Sequence, residues 1–238
     1  MQLLDLTLPT PEENLALDEA LLDAAEAAGE PREVLRLWEP AAPMAVVGRS
    51  SRIDREIHPD ACRQLGVPVL RRISGGAAVL GGPGCLMYAL VLSCQRRPTL
   101  RRVDQAHRFV LGTMAKALAR RVPGVCCQGI SDLALEGQKF SGNSVRCKRD
   151  HLLYHGTLLY DYPLDLIGRC LAMPPHQPDY RDGREHGAFV RNLPLSAGTI
   201  RRALIDAWQA RELLEAWPQQ QTARLAVEKY ASAAWNDE

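Results

Sequence analysis

The 238-residue chain contains no G-x-G-x-x-G run and no Walker A sequence, so neither Rossmann nor P-loop nucleotide binding is supported. It has no G-x-S-x-G elbow and no run of metal-ligand spacing, which removes a hydrolase nucleophile and a protein-bound metal from the expected chemistry. Seven cysteines (Cys62, Cys85, Cys94, Cys126, Cys127, Cys147 and Cys170) form no C-x-x-C pair. An odd count without a framework fits reduced thiols. Charge of one sign is also lacking: 29 basic and 28 acidic side chains leave a formal +1. A dedicated nucleic-acid or anionic-membrane surface is therefore not expected. No apolar run is long enough to span a bilayer, and the opening MQLLDLTLPTPEEN carries acids where a secretory signal carries bases. These absences predict a cytoplasmic protein with no membrane segment.

Hydrophobic residues are plentiful at 46%, enough for a sizeable core. Residues 3–8 read as a short edge strand. Thr10-Pro11-Glu12-Glu13 is a helix start with an N-cap, proline at the first helical position and a capping-box glutamate. Leu17, Leu21, Ala24 and Ala28 then recur at helical spacing, and Gly29 ends the run. Residues 34–38 and 44–48 read as strands, and 59–65 as a short helix. Residues 103–118 carry one apolar helical face on which His107 is expected to pack. Residues 125–127 are a brief strand, residues 132–145 a hairpin turning at Glu136-Gly137, and residues 152–161 a further strand. A short helix over 164–173 precedes an irregular polar stretch, 176–192, long enough to be functional. Residues 200–214 and 222–233 predict terminal helices. Hairpin pairing with interspersed helices predicts an α+β fold with a mixed, mostly antiparallel sheet, forming one domain over 1–238.

The stretch 67–93, VPVLRRISGGAAVLGGPGCLMYALVLS, is the most distinctive. Two apolar runs bracket Arg71-Arg72 and a small-residue turn, Ser74-Gly75-Gly76-Ala77-Ala78, leading into Val79 and Leu80. Glycines let backbone N–H groups approach a ligand, and arginine offers a planar charged fork to phosphate or carboxylate. The residues read either as an anion cradle or as a glycine-rich hairpin with two surface arginines. In QKFSGNS, Lys139 beside Ser141 and Gly142 is either a solvated strand-edge charge or a cation pointing into a cleft. Asp132 could orient a lysine, hold Mg²⁺ through water, or cap a turn. His155, within YHGT, could be a satisfied core residue, a general base or a stacked ring. Cys126-Cys127 is the thiol pair that covalent catalysis would need, although adjacent cysteines on a short apolar strand are usually small buried hydrophobes.

Six segments in order resemble the lipoate–protein ligase A family, within the wider biotin/lipoate ligase superfamily: PEENLALDEALL, LRLWEPAAPMAVVGR, RRISGGAAV, GISDLALEGQKFSGNSV, LLYHGTLLYD and LAVEKYASAAWN. The resemblance implies the biotinyl/lipoyl protein ligase catalytic fold, like that of class II aminoacyl-tRNA synthetases. It implies two steps. Lipoate or octanoate attacks the α-phosphate of ATP to form an acyl-adenylate, which then acylates a lysine of a lipoyl domain. Lys139, in the family's K-[IVF]-S-G pattern, is the implied catalytic residue. The other implied site residues are Arg71, Arg72, Ser74, Gly75, Gly76, Ala77, Ala78, Val79, Leu80, Asp132, Ser141, Gly142 and His155. Mg²⁺ would accompany ATP without an assigned protein ligand. Implied partners are lipoyl domains of 2-oxoacid dehydrogenase E2 subunits or the glycine-cleavage H protein.

Ala77 stands where many ligases have a third glycine, and Gly81-Gly82-Pro83-Gly84-Cys85 stands where they read His-Asp before Gly-Asn. The resemblance covers the catalytic domain without the C-terminal accessory domain, so a separate accessory-domain protein is a further expected partner. Biotin is not expected, because a GRGRxG run is missing. The rival implied by the same fold is an ATP-independent octanoyl or lipoyl transferase using a cysteine thioester at Cys126 or Cys127. A non-catalytic member that only binds lipoyl domains is the third reading.

Overall fold

The structure, a computed structural model, describes residues 1–237. Its strands are β1 (Gln2–Asp5), β2 (Val34–Trp38), β3 (Met44–Val47), β4 (Val69–Arg71), β5 (Val79–Gly81), β6 (Cys85–Ser93), β7 (Cys126–Gln128), β8 (Asp132–Leu135), β9 (Gln138–Cys147), β10 (His151–Leu159) and β11 (Glu212–Leu213). The α-helices are α1 (Pro11–Ala27), α2 (Ile53–Glu56), α3 (Pro59–Gln64), α4 (Val103–Ala119), α5 (Asp165–Cys170), α6 (His186–Phe189), α7 (Ala197–Trp208), α8 (Gln219–Leu225) and α9 (Ala233–Asn236).

Eight strands form one mixed sheet in the order β11-β1-β2-β6-β10-β9-β8-β7. The β11-β1-β2 neighbours run parallel and the remaining pairs antiparallel. The central strands β6 and β10 are buried on both faces, which is why they read as near-continuous apolar runs. Their alternation divides the core in two. Leu86, Tyr88, Leu90 and Leu92 join Leu152, Tyr154 and Leu158 under α4 and α7. Met87, Ala89 and Val91 join Leu153 and Leu159 on the face covered by α1. By the same period of two, His155 and Thr157 project to the α1 face. That face carries the site.

Helix α1 starts as its sequence dictates. Thr10 Oγ1 accepts the Glu13 N–H at 3.2 Å, and the Thr10 N–H donates to Glu13 Oε2 at 3.0 Å. A second sheet, β4-β3-β5, packs beside this face.

Three sequence expectations need correcting here. The two runs within 67–93 do not form a hairpin: β4 and β5 each pair with β3, parallel and antiparallel respectively, and β6 belongs to the large sheet. Segment β1 is not an edge strand, since β11 lies outside it. The helix predicted over 200–214 stops at Trp208, because Gln209 turns to positive φ (52°) and the chain goes on into β11. The expected β8–β9 hairpin is present, turning through Glu136 and Gly137 at φ 53° and 73°. Among the described residues no helix is long and apolar enough to cross a membrane.

Candidate active site

A cavity of about 820 Å³ opens where the β4–β5 loop meets β9, β10 and α1. A smaller one, about 130 Å³, adjoins it and shares Ala77, Ala78, Val79, Lys139, Gly142 and Thr157 with it. Leu80, Phe140, Leu159, Ile167, Leu171 and Phe189 make the small cavity mostly apolar.

Both arginines brace the loop, and Arg72 also lines the larger cavity. Arg71 lines neither cavity. Its guanidinium donates to the carbonyls of Gly48, Arg49, Ser51, Trp235 and Asn236 at 2.8–3.1 Å. Arg72 donates from Nε to Ser74 Oγ (3.1 Å), from Nη1 to the Val46 carbonyl (3.0 Å), and from Nη2 to the Gly75 and Ala77 carbonyls (2.6 and 3.0 Å). Burial pulls Arg72 down to about 10, partly offset by the charge of Glu56. These guanidinium groups satisfy loop carbonyls that burial would otherwise leave unpaired. What the loop presents to the cavity is its backbone: among the described residues the N–H groups of Gly75, Gly76 and Ala77 have no acceptor, while that of Ala78 donates to Glu56 Oε2 at 2.6 Å. Gly75, Gly76 and Ala77 line the larger cavity. Gly76 takes φ 87°, and Gly48 must be glycine because a Cβ there would lie 2.0 Å from the Gly76 carbonyl oxygen.

A buried polar chain fixes this loop to the large sheet. Ser74 Oγ lies 2.6 Å from His155 Nε2, and His155 Nδ1 lies 3.4 Å from Asp18 Oδ2. Asp18 Oδ1 in turn accepts Arg36 Nη1 at 2.6 Å. Ser74 Oγ accepts from Arg72 Nε and also meets His155 Nε2, while His155 Nδ1 faces Asp18. Ser74 itself does not line the cavities, whereas His155 lines the larger one. His155 is thus neither stacked nor isolated; it pins the loop.

Lys139 points into the site. Its Nζ is 2.7 Å from Asp132 Oδ1, and Asp132 Oδ2 accepts the Tyr180 hydroxyl at 2.8 Å. Burial and the neighbouring carboxylate push the Tyr180 phenol well up, so it stays a donor. The lysine stands at the junction of the two cavities, with 27% of its side chain exposed. Gly142 makes room for it: a Cβ there would meet Nζ at 2.9 Å. Ser141 borders only the small cavity, as does Leu80. Gly156 has a related duty, since an added Cβ would fall 2.1 Å from Asn143 Oδ1 and 2.6 Å from the Gly142 carbonyl. Gly156→Ala is expected to cost about 2 kcal/mol through this overpacking and to lower Tm by roughly 4–8 °C, measured by calorimetry.

The cysteine pair is placed differently. Cys126 and Cys127 lie on β7 at the far edge of the sheet and line neither cavity. Partial burial beside Cys126 pushes the exposed Cys127 thiol up, away from thiolate. Tyr154 accounts for His107, whose Nδ1 is 2.8 Å from its hydroxyl, and burial lowers the histidine.

Sequence reading missed Arg52 and Arg55 on the cavity rim, and also Asp18 and Glu56. A signal for Asp18 exists: it is an acid within the apolar face of α1, and its partner Arg36 lies between Leu35 and Leu37 in a fully buried strand. Among the described residues no group of three or more His, Cys, Asp or Glu side chains could hold a metal ion.

The lipoyl protein ligase A/B catalytic domain family matches residues 10–205. A provisionally named lipoate–protein ligase A from Aeropyrum pernix is 31% identical over 87% of the chain and 74% of its own length. One from Mycoplasma pneumoniae is 32% identical over 66% of the chain, which spans only 45% of that protein. The octanoyltransferase LipM of an Exiguobacterium species is 29% identical over 69% of the chain and 67% of its own length. Among solved structures, a bi-partite lipoate protein ligase from Thermoplasma acidophilum, described with its E2 lipoyl domain, has a TM-score of 0.78. It is 22% identical, covering 99% of this chain and 95% of that one. A T. acidophilum protein with bound lipoic acid has a TM-score of 0.77 at 21% identity, covering 100% and 99%. A lipoate–protein ligase A bound with ATP has a TM-score of 0.76 at 22% identity, covering 99% and 98%. At these identities the structural likeness concerns the fold.

Proposed function

The chain belongs to the lipoyl protein ligase A/B catalytic domain family, and from that premise we propose that it is an ATP-dependent lipoate–protein ligase. One observation carries this reading: Lys139 stands where the larger cavity meets the smaller one. An acyl chain in the small cavity would bring its carboxylate to Lys139. A nucleotide in the large cavity would bring its α-phosphate to the same ammonium and to the unpartnered N–H groups of residues 75–77. Attack of the carboxylate oxygen on the α-phosphorus then breaks the bond to pyrophosphate and leaves an acyl-adenylate. In the second step the ε-amine of a lysine on a lipoyl domain attacks the acyl carbonyl, and AMP leaves. Negative charge builds on oxygens beside Lys139 in both steps, and a fixed ammonium in a partly water-excluded site lowers both barriers.

Asp132 orients Lys139, and Tyr180 holds the carboxylate in turn. Arg52 and Arg55 on the rim can meet the β- and γ-phosphates. Mg²⁺ would come with the triphosphate and shield its charge. Solved neighbours with bound ATP and with lipoic acid support both ligands, and the ligase described with its E2 lipoyl domain supports that acceptor class and a separate accessory chain.

The LipM relative favours a second reading, transfer from an octanoyl carrier through a cysteine thioester. The test is a pair of incubations with an apo lipoyl domain, one with octanoate, ATP and Mg²⁺ and the other with octanoyl-carrier protein and no ATP. Mass spectrometry of the acceptor is expected to show product in the first. Product in the second alone would defeat the ligase reading. Cys126→Ser and Cys127→Ser are expected to keep the ATP-dependent rate within about twofold, because neither thiol borders the cavities.

A further inference from the structure

Besides Lys139 and Glu56, the small cavity is lined by a third charged side chain, Arg181. Arg181 ends the 3₁₀ turn Asp179–Arg181 and is 3% exposed. It lines the small cavity and not the large one. Its Nε donates to the Arg184 carbonyl at 2.9 Å, and its Nη2 to Met173 Sδ at 3.1 Å. The guanidinium carbon sits 4.6 Å from the Phe189 ring centroid. Among the described residues Arg181 has no carboxylate within ion-pair distance, and its Nη1 has no acceptor. Burial lowers its pKa, partly offset by the charge of Glu185.

Arg181 Nη1 is not sealed from solvent, so it is free to donate to a ligand that enters the small cavity. A pocket built to donate a hydrogen bond also discriminates against ligands that lack the acceptor. Sulfur is an acceptor this side chain already uses, at Met173.

We propose that Arg181 reads the far end of the acyl chain, favouring a tail that carries an acceptor, such as the sulfurs of a dithiolane ring, over an all-hydrocarbon tail. The proposal rests on the ligase reading in one respect, that the substrate carboxylate lies at Lys139. Arg181 is then a specificity-determining residue for the chain end.

The experiment compares lipoate with 5-cyclopentylpentanoate, which keeps the ring and chain but replaces both sulfurs with CH₂. Binding of each to the whole protein is measured by calorimetry with a non-hydrolysable ATP analogue present. Wild type is expected to bind lipoate about tenfold more tightly. Arg181→Met should bring the two affinities together, and Arg181→Lys should keep part of the difference. Equal affinities in wild type, which require no variant to fold, would overturn the proposal while leaving the ligase reading intact. A tenfold preference that survives in Arg181→Met would overturn it as well. Failure of wild type to bind either carboxylate would overturn the ligase reading itself, and the proposal with it.

Discussion

Lys139→Ala is expected to reduce acyl transfer to a lipoyl domain by about 10³-fold or more, with Tm changed by only a few degrees. The two halves of this expectation come from different parts of the geometry. The ammonium serves both steps of the proposed reaction, so its loss compounds. The fold depends on it little: the side chain is 27% exposed, and Asp132 keeps the Tyr180 hydroxyl when the lysine is gone. Transfer rates followed by acceptor mass, alongside a melting curve for the same preparation, measure both halves. Lys139→Arg should not rescue activity, because the wider guanidinium has no room against Gly142, where even an added Cβ would lie 2.9 Å from Nζ.

Arg72→Leu is expected to act in the opposite way, on stability first. The guanidinium holds four oxygens across the β3 strand and the β4–β5 loop. It also offsets the charge of Glu56, itself 7% exposed. Removing one side of such a buried arrangement costs about 3–5 kcal/mol, a large share of the roughly 5–15 kcal/mol available to a folded domain. Urea denaturation should show a much lower midpoint with a similar slope. Arg72→Lys should recover only part of the loss, since an ammonium cannot span the same fork of acceptors. A stable Arg72→Leu protein with undiminished activity would contradict the assignment of Arg72 as the brace of the loop.

The contrast between these residues explains what could be read from the chain alone. Helix α1 was legible because Thr10, Pro11 and Glu13 form a local cap, and the β8–β9 hairpin because its turn is local too. The central strands were legible as apolar runs. The small sheet was not, because β4 and β5 find their common partner in β3, more than twenty residues before either β4 or β5 begins. For the site, Lys139 and the glycine turn were legible as a motif within the family resemblance. The role of Arg71 and Arg72 was not, since a guanidinium that binds an anion and one that binds carbonyls look identical in sequence. Only the coordinates give each its acceptors. The same holds for Asp18, which reaches His155 across 137 residues, and for Arg181, which lay in a stretch that sequence could describe only as irregular.

The central claim is that one ammonium, on Lys139, serves an activated acyl group bound across the two cavities. Supplying chemically prepared lipoyl-adenylate to the protein with an apo lipoyl domain, and weighing the acceptor, tests it without depending on ATP activation or on any accessory chain. Wild type should add one lipoyl group to the domain lysine, and Lys139→Ala should add none above the uncatalysed background. Equal transfer by the two proteins, or no transfer by wild type while octanoyl-carrier protein is consumed through Cys126 or Cys127, would contradict it.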